Sequence, residues 1–239
     1  MKISEGLSVL ELGITERQMH PTLIFDEDDV ILIDAGLPGQ FEDISEEIGK
    51  AGVSIDKITR IIITNHDLDH IGSLASIVNR SKTKVEVLSH AGEKPYIEGA
   101  KMPIKMTEER LNSMPEDEKN ETIEKLKKLI VKVDRTIEDG QQLPYCGGIE
   151  VVYTPGHTPG HTCLYLKKYK TLVAGDAMNV KEGVLVGPNP VFTFDMKQAT
   201  ESLKKLSRYD IQTVICYHGG VFKDNPNERI AEIANIKII

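Results

Sequence analysis

TNHDLDHIG, residues 64–72, decides how the rest of the chain is read. It follows an apolar run and sets two histidines and two aspartates within five residues, His66 to His70. The run at 58–64, with Ile61–Ile63 unbroken at its centre rather than alternating, reads as a strand buried on both faces. Ile71, Leu74, Ile77 and Val78 then recur at helical spacing. The cluster therefore sits at a strand-to-helix junction, where layered α/β folds collect ligand and metal sites. Helix capping is the plain reading of one such acid, since an aspartate at a helix start contributes about 0.5–1 kcal/mol. Asp69 alone would fit that role. Asp67, Asp69 and His70 together are more than one cap uses, and metal ligation is the competing reading.

Working outward, residues 7–12, 22–25 and 30–34 read as strands. Gly36-Leu37-Pro38-Gly39 breaks the chain, and Phe41, Ile44 and Ile48 mark a helix with Gly52 near its end. Residues 84–89 form another short strand. The character then changes at about 90–133, which is rich in Glu and Lys and interrupted by Pro95, Pro103 and Pro115. Ile123, Leu126, Leu129, Ile130 and Val133 make one apolar stripe there. We read it as a helical insertion in a single domain spanning 1–239. Its stripe should pack on the main core or on a partner chain, and the second alternative would make a homodimer. Strands return at 150–154, 162–167, 171–174 and 213–217. A helix over 196–206 carries an Asp195/Gln198 variant of the capping box, and a last helix covers 225–236. The strand-then-helix rhythm of both halves fits an α/β sandwich of sheets flanked by helices.

Bulk properties narrow the function. The chain has 239 residues, 40% of them apolar and 28% charged, with a net charge of −8. That balance argues against nucleic acid or an anionic membrane as the main partner. No apolar run approaches the ~20 residues needed to cross a bilayer, and no signal core follows the first residues, so a cytoplasmic protein is expected. Cys146, Cys163 and Cys216 are odd in number, widely spaced and without a CxxC, which reads as reduced, partly buried structural cysteines.

Three further stretches repeat the chemistry of the first. TPGHTPGHT, residues 154–162, holds His157 and His161 in stiff turns, where a histidine is preorganised for ligation; the plain alternative is a tight loop with hydrogen-bonded histidines. VAGDAM, 173–178, puts Asp176 directly after an apolar strand, which is also a common turn position. VICYHGG, 214–220, does the same with His218, followed by two glycines that allow close backbone approach. Each alone is weak. Together they give four strand-end clusters of His and Asp, ligand types for zinc, iron or manganese. His20 and His90 have no motif around them.

With LIDAGLPG near the start, these motifs fall in the order found in the metallo-β-lactamase superfamily, which the chain resembles over nearly its whole length, in the manner of the glyoxalase II and lactonase branch. Only 90–133 lacks a signature. The resemblance implies an αββα sandwich with metals at one edge between the sheets. It implies that Asp69, His70 and His218 hold one metal, that His157 serves the other, and that Asp176 bridges both. The family's first motif is HxHxDH, and here the chain departs from it. The first position is Asn65 and the second Asp67, a plausible hard ligand. Asn65, a weak neutral oxygen ligand, or His66 is left to complete the site that His157 serves; His66 lies one position out of register and on an extended strand end should point the opposite way unless local twisting brings it round. His161 is assigned a supporting hydrogen bond.

The resemblance further implies a divalent metal, zinc first, with iron or manganese as alternatives. Loss of an imidazole predicts one tight and one weaker site. The implied reaction is hydrolysis of a small ester, lactone or thioester by metal-bound hydroxide, with Asp69 orienting the water or accepting its proton. A degenerate metal-binding protein, or an iron redox or oxygenase enzyme, is the alternative. The substrate is expected to be a small molecule, not nucleic acid.

Overall fold

The computed structural model describes residues 1–13 and 18–236. The first sheet contains β1 (Lys2–Ser4), β2 (Leu7–Val9), β3 (Thr22–Phe25), β4 (Val30–Ile33), β5 (Arg60–Ile63), β6 (Glu86–His90) and β7 (Arg135–Ile137), in that spatial order. Strands β1 to β4 are antiparallel, and β4 to β7 are parallel. The second sheet contains β8 (Gln142–Leu143), β9 (Ile149–Tyr153), β10 (Thr162–Leu166) and β11 (Thr171–Gly175). After a small hairpin of β12 (Asn179–Lys181) and β13 (Val184–Val186), it is completed by β14 (Thr213–Cys216) and β15 (Gly220–Phe222). The helices are α1 (Phe41–Lys50), α2 (Leu68–Ile71), α3 (Leu74–Arg80), α4 (Lys94–Ile97), α5 (Glu108–Asn112), α6 (Glu116–Lys127), α7 (Met196–Leu203) and α8 (Pro226–Ala234).

The alternation of side chains along the strands builds the layers. Ile31, Ile33, Ile62 and Leu88 of the first sheet meet Val151, Leu164, Val173 and Ile215 of the second in one core between the sheets. Their chain neighbours Leu32, Ile61, Ile63 and Val87 point the other way, onto Ile44 and Ile48 of α1 and Leu74 and Ile77 of α3. On the far side, Val152, Cys163, Leu172 and Val214 meet Leu203 of α7 and Ile230 and Ile233 of α8. The result is the expected αββα sandwich. It also explains the continuous apolar run before the quoted stretch: β5 lies between two parallel neighbours and buries both faces. A shift by one residue would exchange the two faces, so burial on both sides does not by itself fix register; the strand-end contacts described below do.

Several elements differ from the reading of the sequence. The strand expected over 7–12 ends at Val9. The helix expected over 196–206 is α-helical to Leu203 and continues as a 3-10 turn through Arg208, and Asp195 Oδ1 caps it by accepting from the Gln198 N–H at 2.8 Å. Residues 179–186, to which the sequence reading assigned no strand, form the β12–β13 hairpin. The stripe at 123–133 divides. Val133 joins the core behind the first sheet, whereas Ile123, Leu126, Leu129 and Ile130 border a cavity of about 850 Å³. No residue of α6 is buried, so its apolar side serves the cavity rather than the core. The three cysteines are free and buried. Among the described residues, no helix is long and apolar enough to cross a membrane.

Candidate metal centre

Strand direction assembles the site. β9 is antiparallel to β10, β10 is antiparallel to β11, and β11 is parallel to β14. β9, β11 and β14 therefore end on the same side of the second sheet, and the residues after them are His157, Asp176 and His218. β5 delivers residues 64–70 from the first sheet. A hydrogen bond from the Thr162 N–H to the Thr64 carbonyl, 3.1 Å, ties the two sheets at this point.

Two groups of donors result: Asp69, His70 and His218, and Asp67, His157 and Asp176. Within each, one candidate ligand atom per residue lies within 4.8 Å of the others. Asp176 touches both. Its Oδ1 is 3.4 Å from His218 Nε2, and its Oδ2 is 2.7 Å from His70 Nε2 and 3.4 Å from His157 Nε2. His218 Nε2 also faces Asp69 Oδ2 at 3.1 Å, and His157 Nε2 faces Asp67 Oδ2 at 2.8 Å.

The electrostatics follow from this crowding. Burial alone would raise the Asp176 carboxyl, but the imidazoles of His70, His157 and His218 hold it well below the usual range. Burial likewise opposes ionisation of Asp67, yet His157 and then Lys105 bring it down to about 2. Burial would lower His70, but the carboxylates of Asp34, Asp176 and Asp69 outweigh it and raise this imidazole well above 6.5. These are buried acids and bases held charged by one another.

A surrounding layer fixes the donors. Asp34 sits at the end of β4 with φ of 64°. Its Oδ1 accepts from the Thr64 N–H at 2.9 Å, and its Oδ2 accepts from the Thr64 hydroxyl at 2.7 Å and lies 2.9 Å from His70 Nδ1. With Nδ1–H directed at Asp34, His70 turns Nε2 to the centre, where its lone pair would face an ion once the second ring proton leaves. Tyr217 stacks on the His70 ring at 3.8 Å between centroids, and its hydroxyl donates to the Asp69 carbonyl. His161 is fully buried. Its Nε2 accepts from the Asp176 N–H at 3.1 Å, so Nδ1 carries the proton and donates to Thr154 Oγ1 at 2.9 Å. The turn of Asp176 needs Gly175: at φ of 52°, an added Cβ would lie 2.7 Å from His161 Nε2.

Asn65 and His66 part company. Asn65 Oδ1 accepts from the Asp67 N–H at 3.0 Å, and its Nδ2 donates to Asp176 Oδ2 at 3.1 Å. It thus faces the centre with N–H groups and no lone pair. His66 turns away from both donor groups. Its Nδ1–H and backbone N–H both go to Glu93 Oε2, its Nε2 accepts from the Ile104 N–H at 3.3 Å, and its ring stacks on Tyr96. Both ring nitrogens are thereby engaged, so His66 points the way its extended strand end implies, and the alternative that local twisting brings it into the ligand set does not hold. Sequence reasoning missed Asp34, Glu93, Tyr217 and Lys105. Asp34 lies in the quoted LIDAGLPG, so a strand-end signal was present. Glu93 and Lys105 lie in the Glu- and Lys-rich segment, where nothing singles out one charge from another.

The profile of the metallo-beta-lactamase superfamily matches residues 14–218. The chain belongs to the metallo-beta-lactamase superfamily. Within it, the chain is similar to the probable metallo-hydrolase YflN of Bacillus subtilis, 31% identical over 225 residues that cover 86% of this chain and 81% of the relative. It is similar to the hydroxyacylglutathione hydrolase of Rhizobium meliloti at 28% identity, but over 51% of this chain and only 34% of that protein. Its fold matches that of the metallo-beta-lactamase family protein TTHA1429 from Thermus thermophilus, with a TM-score of 0.74, 23% identity, and coverage of 98% of this chain and 79% of the other.

Proposed function

We propose that this superfamily member is a metal-dependent hydrolase of small esters, lactones or thioesters with an apolar acyl group. The observation that carries the reading is six inward-facing carboxylate and imidazole groups beside an apolar cavity of about 850 Å³. The donor chemistry fits a divalent metal. Three aspartates and three histidines converge, the carboxylate oxygen and imidazole nitrogen donors that a divalent ion takes. Asp69, His70 and His218 would hold one ion with Asp176 shared; Asp67 and His157 would face a second position. The mixed oxygen and nitrogen set suits zinc first, and iron or manganese as alternatives.

When bound, the ion supplies Lewis acidity, bringing the pKa of a water from about 15.7 toward about 7 and polarising the carbonyl. The chain's own groups do the rest. Asp69 is the carboxylate able to meet solvent, with 28% of its side chain exposed. It orients the attacking water and takes its proton. The water oxygen bonds to the acyl carbon, the bond to the alcohol or thiol breaks, and the proton leaves with that group. Met102, Ile123, Leu126 and Phe192 border the space for the acyl portion.

The test is turnover of a nitrophenyl ester, a γ-lactone and an acyl thioester by zinc-reconstituted protein. Hydrolysis of at least one class is expected, falling at least about a thousandfold in His70→Ala. Absence of turnover above the metal blank for all three, with metal demonstrably bound, would sink the reading.

A further inference from the structure

The segment between α4 and α5 sends a lysine into the metal centre. Lys105 Nζ contacts Asp67 Oδ2 and lies 3.2 Å from His157 Nε2. An ammonium group only donates hydrogen bonds. It and His157 Nε2 both converge on Asp67 Oδ2, the imidazole nitrogen at 2.8 Å, while His157 Nδ1 faces Thr193 Oγ1 at 3.4 Å. That nitrogen and that carboxylate oxygen are the atoms a divalent ion between Asp67, His157 and Asp176 would take. Lysine and metal compete for them.

The position of Lys105 is prepared by its neighbours. The Ile104 N–H is held by His66 Nε2. His66 is in turn fixed by Glu93 and by stacking on Tyr96 at 4.0 Å. Glu93 is fully buried and also accepts from the Thr158 hydroxyl at 2.7 Å and the Gly160 N–H at 2.6 Å, on the turn that carries His157. One carboxylate thus ties the turn bearing His157, the stretch bearing Asp67 and the segment bearing Lys105. Asn65 adds its N–H to Asp176 Oδ2, the oxygen that lies between His70 and His157. This half of the centre is furnished with hydrogen-bond donors where an ion would need acceptors.

We propose that the Lys105 ammonium is a built-in cation that takes the place of a metal in the Asp67–His157 half, so that the chain holds one divalent ion, at Asp69, His70, His218 and Asp176. The out-of-register His66 serves this arrangement as a positioning residue. It sets the backbone from which the lysine reaches inward. The proposal rests on the metal-centre reading above, but not on hydrolysis.

The experiment counts ions. Wild-type protein and the variants Lys105→Ala and Lys105→Met are equilibrated with excess Zn²⁺ and desalted. Bound zinc per chain is then measured by mass spectrometry, with calorimetric titration of the same samples. Wild type should hold one zinc per chain. Both variants should hold two in the titration, the second more weakly. A wild type with two zinc ions overturns the proposal, and so do variants that remain at one. About a third of the Lys105 side chain is exposed, and Lys105→Met keeps its apolar stem, so failure to fold is guarded against by two different replacements. A one-ion protein that hydrolyses nothing would defeat the hydrolase reading and leave this one standing. An active wild type with two ions would do the reverse.

Discussion

Adjacent residues at the end of β5 show how one backbone step divides two duties. Asn65 looks into the centre and His66 looks out to Glu93, because successive side chains of an extended strand end point to opposite sides. A second histidine, His161, supports the centre without joining either donor group, and its protonation is testable. Burial, and then the neighbouring His157 charge, push its pKa down to about 3, so it stays neutral in the fold. In the unfolded chain it takes up a proton near 6.5. A base with a depressed folded pKa contributes stability that is complete above about 6.5 and is lost as pH falls toward about 3. His161→Gln removes this titration. In metal-free protein, the wild type should lose unfolding free energy faster than the variant below pH 6.5, by up to about 1.4 kcal/mol per pH unit. Urea titrations at several pH values read the difference directly, and parallel slopes would mean that His161 is not held neutral.

At the scale of elements, α6 behaves unlike the other long helices. α1 buries Ile44 and Ile48, α7 buries Leu203, and α8 buries Ile230 and Ile233, whereas α6 buries nothing. Its Ile123 and Leu126 border the cavity. Leu126→Ser should therefore change unfolding free energy by less than about 1 kcal/mol. It should raise KM for esters with longer acyl chains about fivefold, at little change in kcat, through loss of roughly 1 kcal/mol of apolar contact. An unchanged KM would remove α6 from the substrate pocket. The same helix marks where the sequence stopped being informative. Its stripe was visible, but periodicity states only that a face is apolar, not whether core, partner or cavity meets it. The strand-end residues Asp67, Asp69, His70, His157, Asp176 and His218 were legible because each is tied to an apolar run or a stiff turn. Lys105 had no such frame, since a lone lysine in a Glu- and Lys-rich segment reads as a solvated charge. Strands such as β1 and β8, with three and two residues, are too short to display a period.

At the scale of the whole molecule, the donors span the sandwich. Asp67, Asp69 and His70 follow a strand of the first sheet, while His157, Asp176 and His218 follow strands of the second. An ion held by His70, Asp69, Asp176 and His218 would therefore join two layers otherwise held mainly by the apolar core between them. Unfolding separates these donors, so the ion binds the folded chain far more strongly and stabilises it by mass action. At a free metal concentration about a hundred times Kd, that amounts to roughly 2.7 kcal/mol. For a chain of this length, each kcal/mol shifts Tm by about 2–4 °C. Removal of metal with a chelator should thus lower Tm by about 5–10 °C, and adding zinc back should restore it. In His70→Ala the chelator should have little effect on Tm, because the ion would have lost the ligand that Asp34 orients. A Tm indifferent to chelator in the wild type, with zinc present beforehand, would mean that the ion does not link the sheets. A chelator shift that survives in His70→Ala would move the ion away from this group of residues.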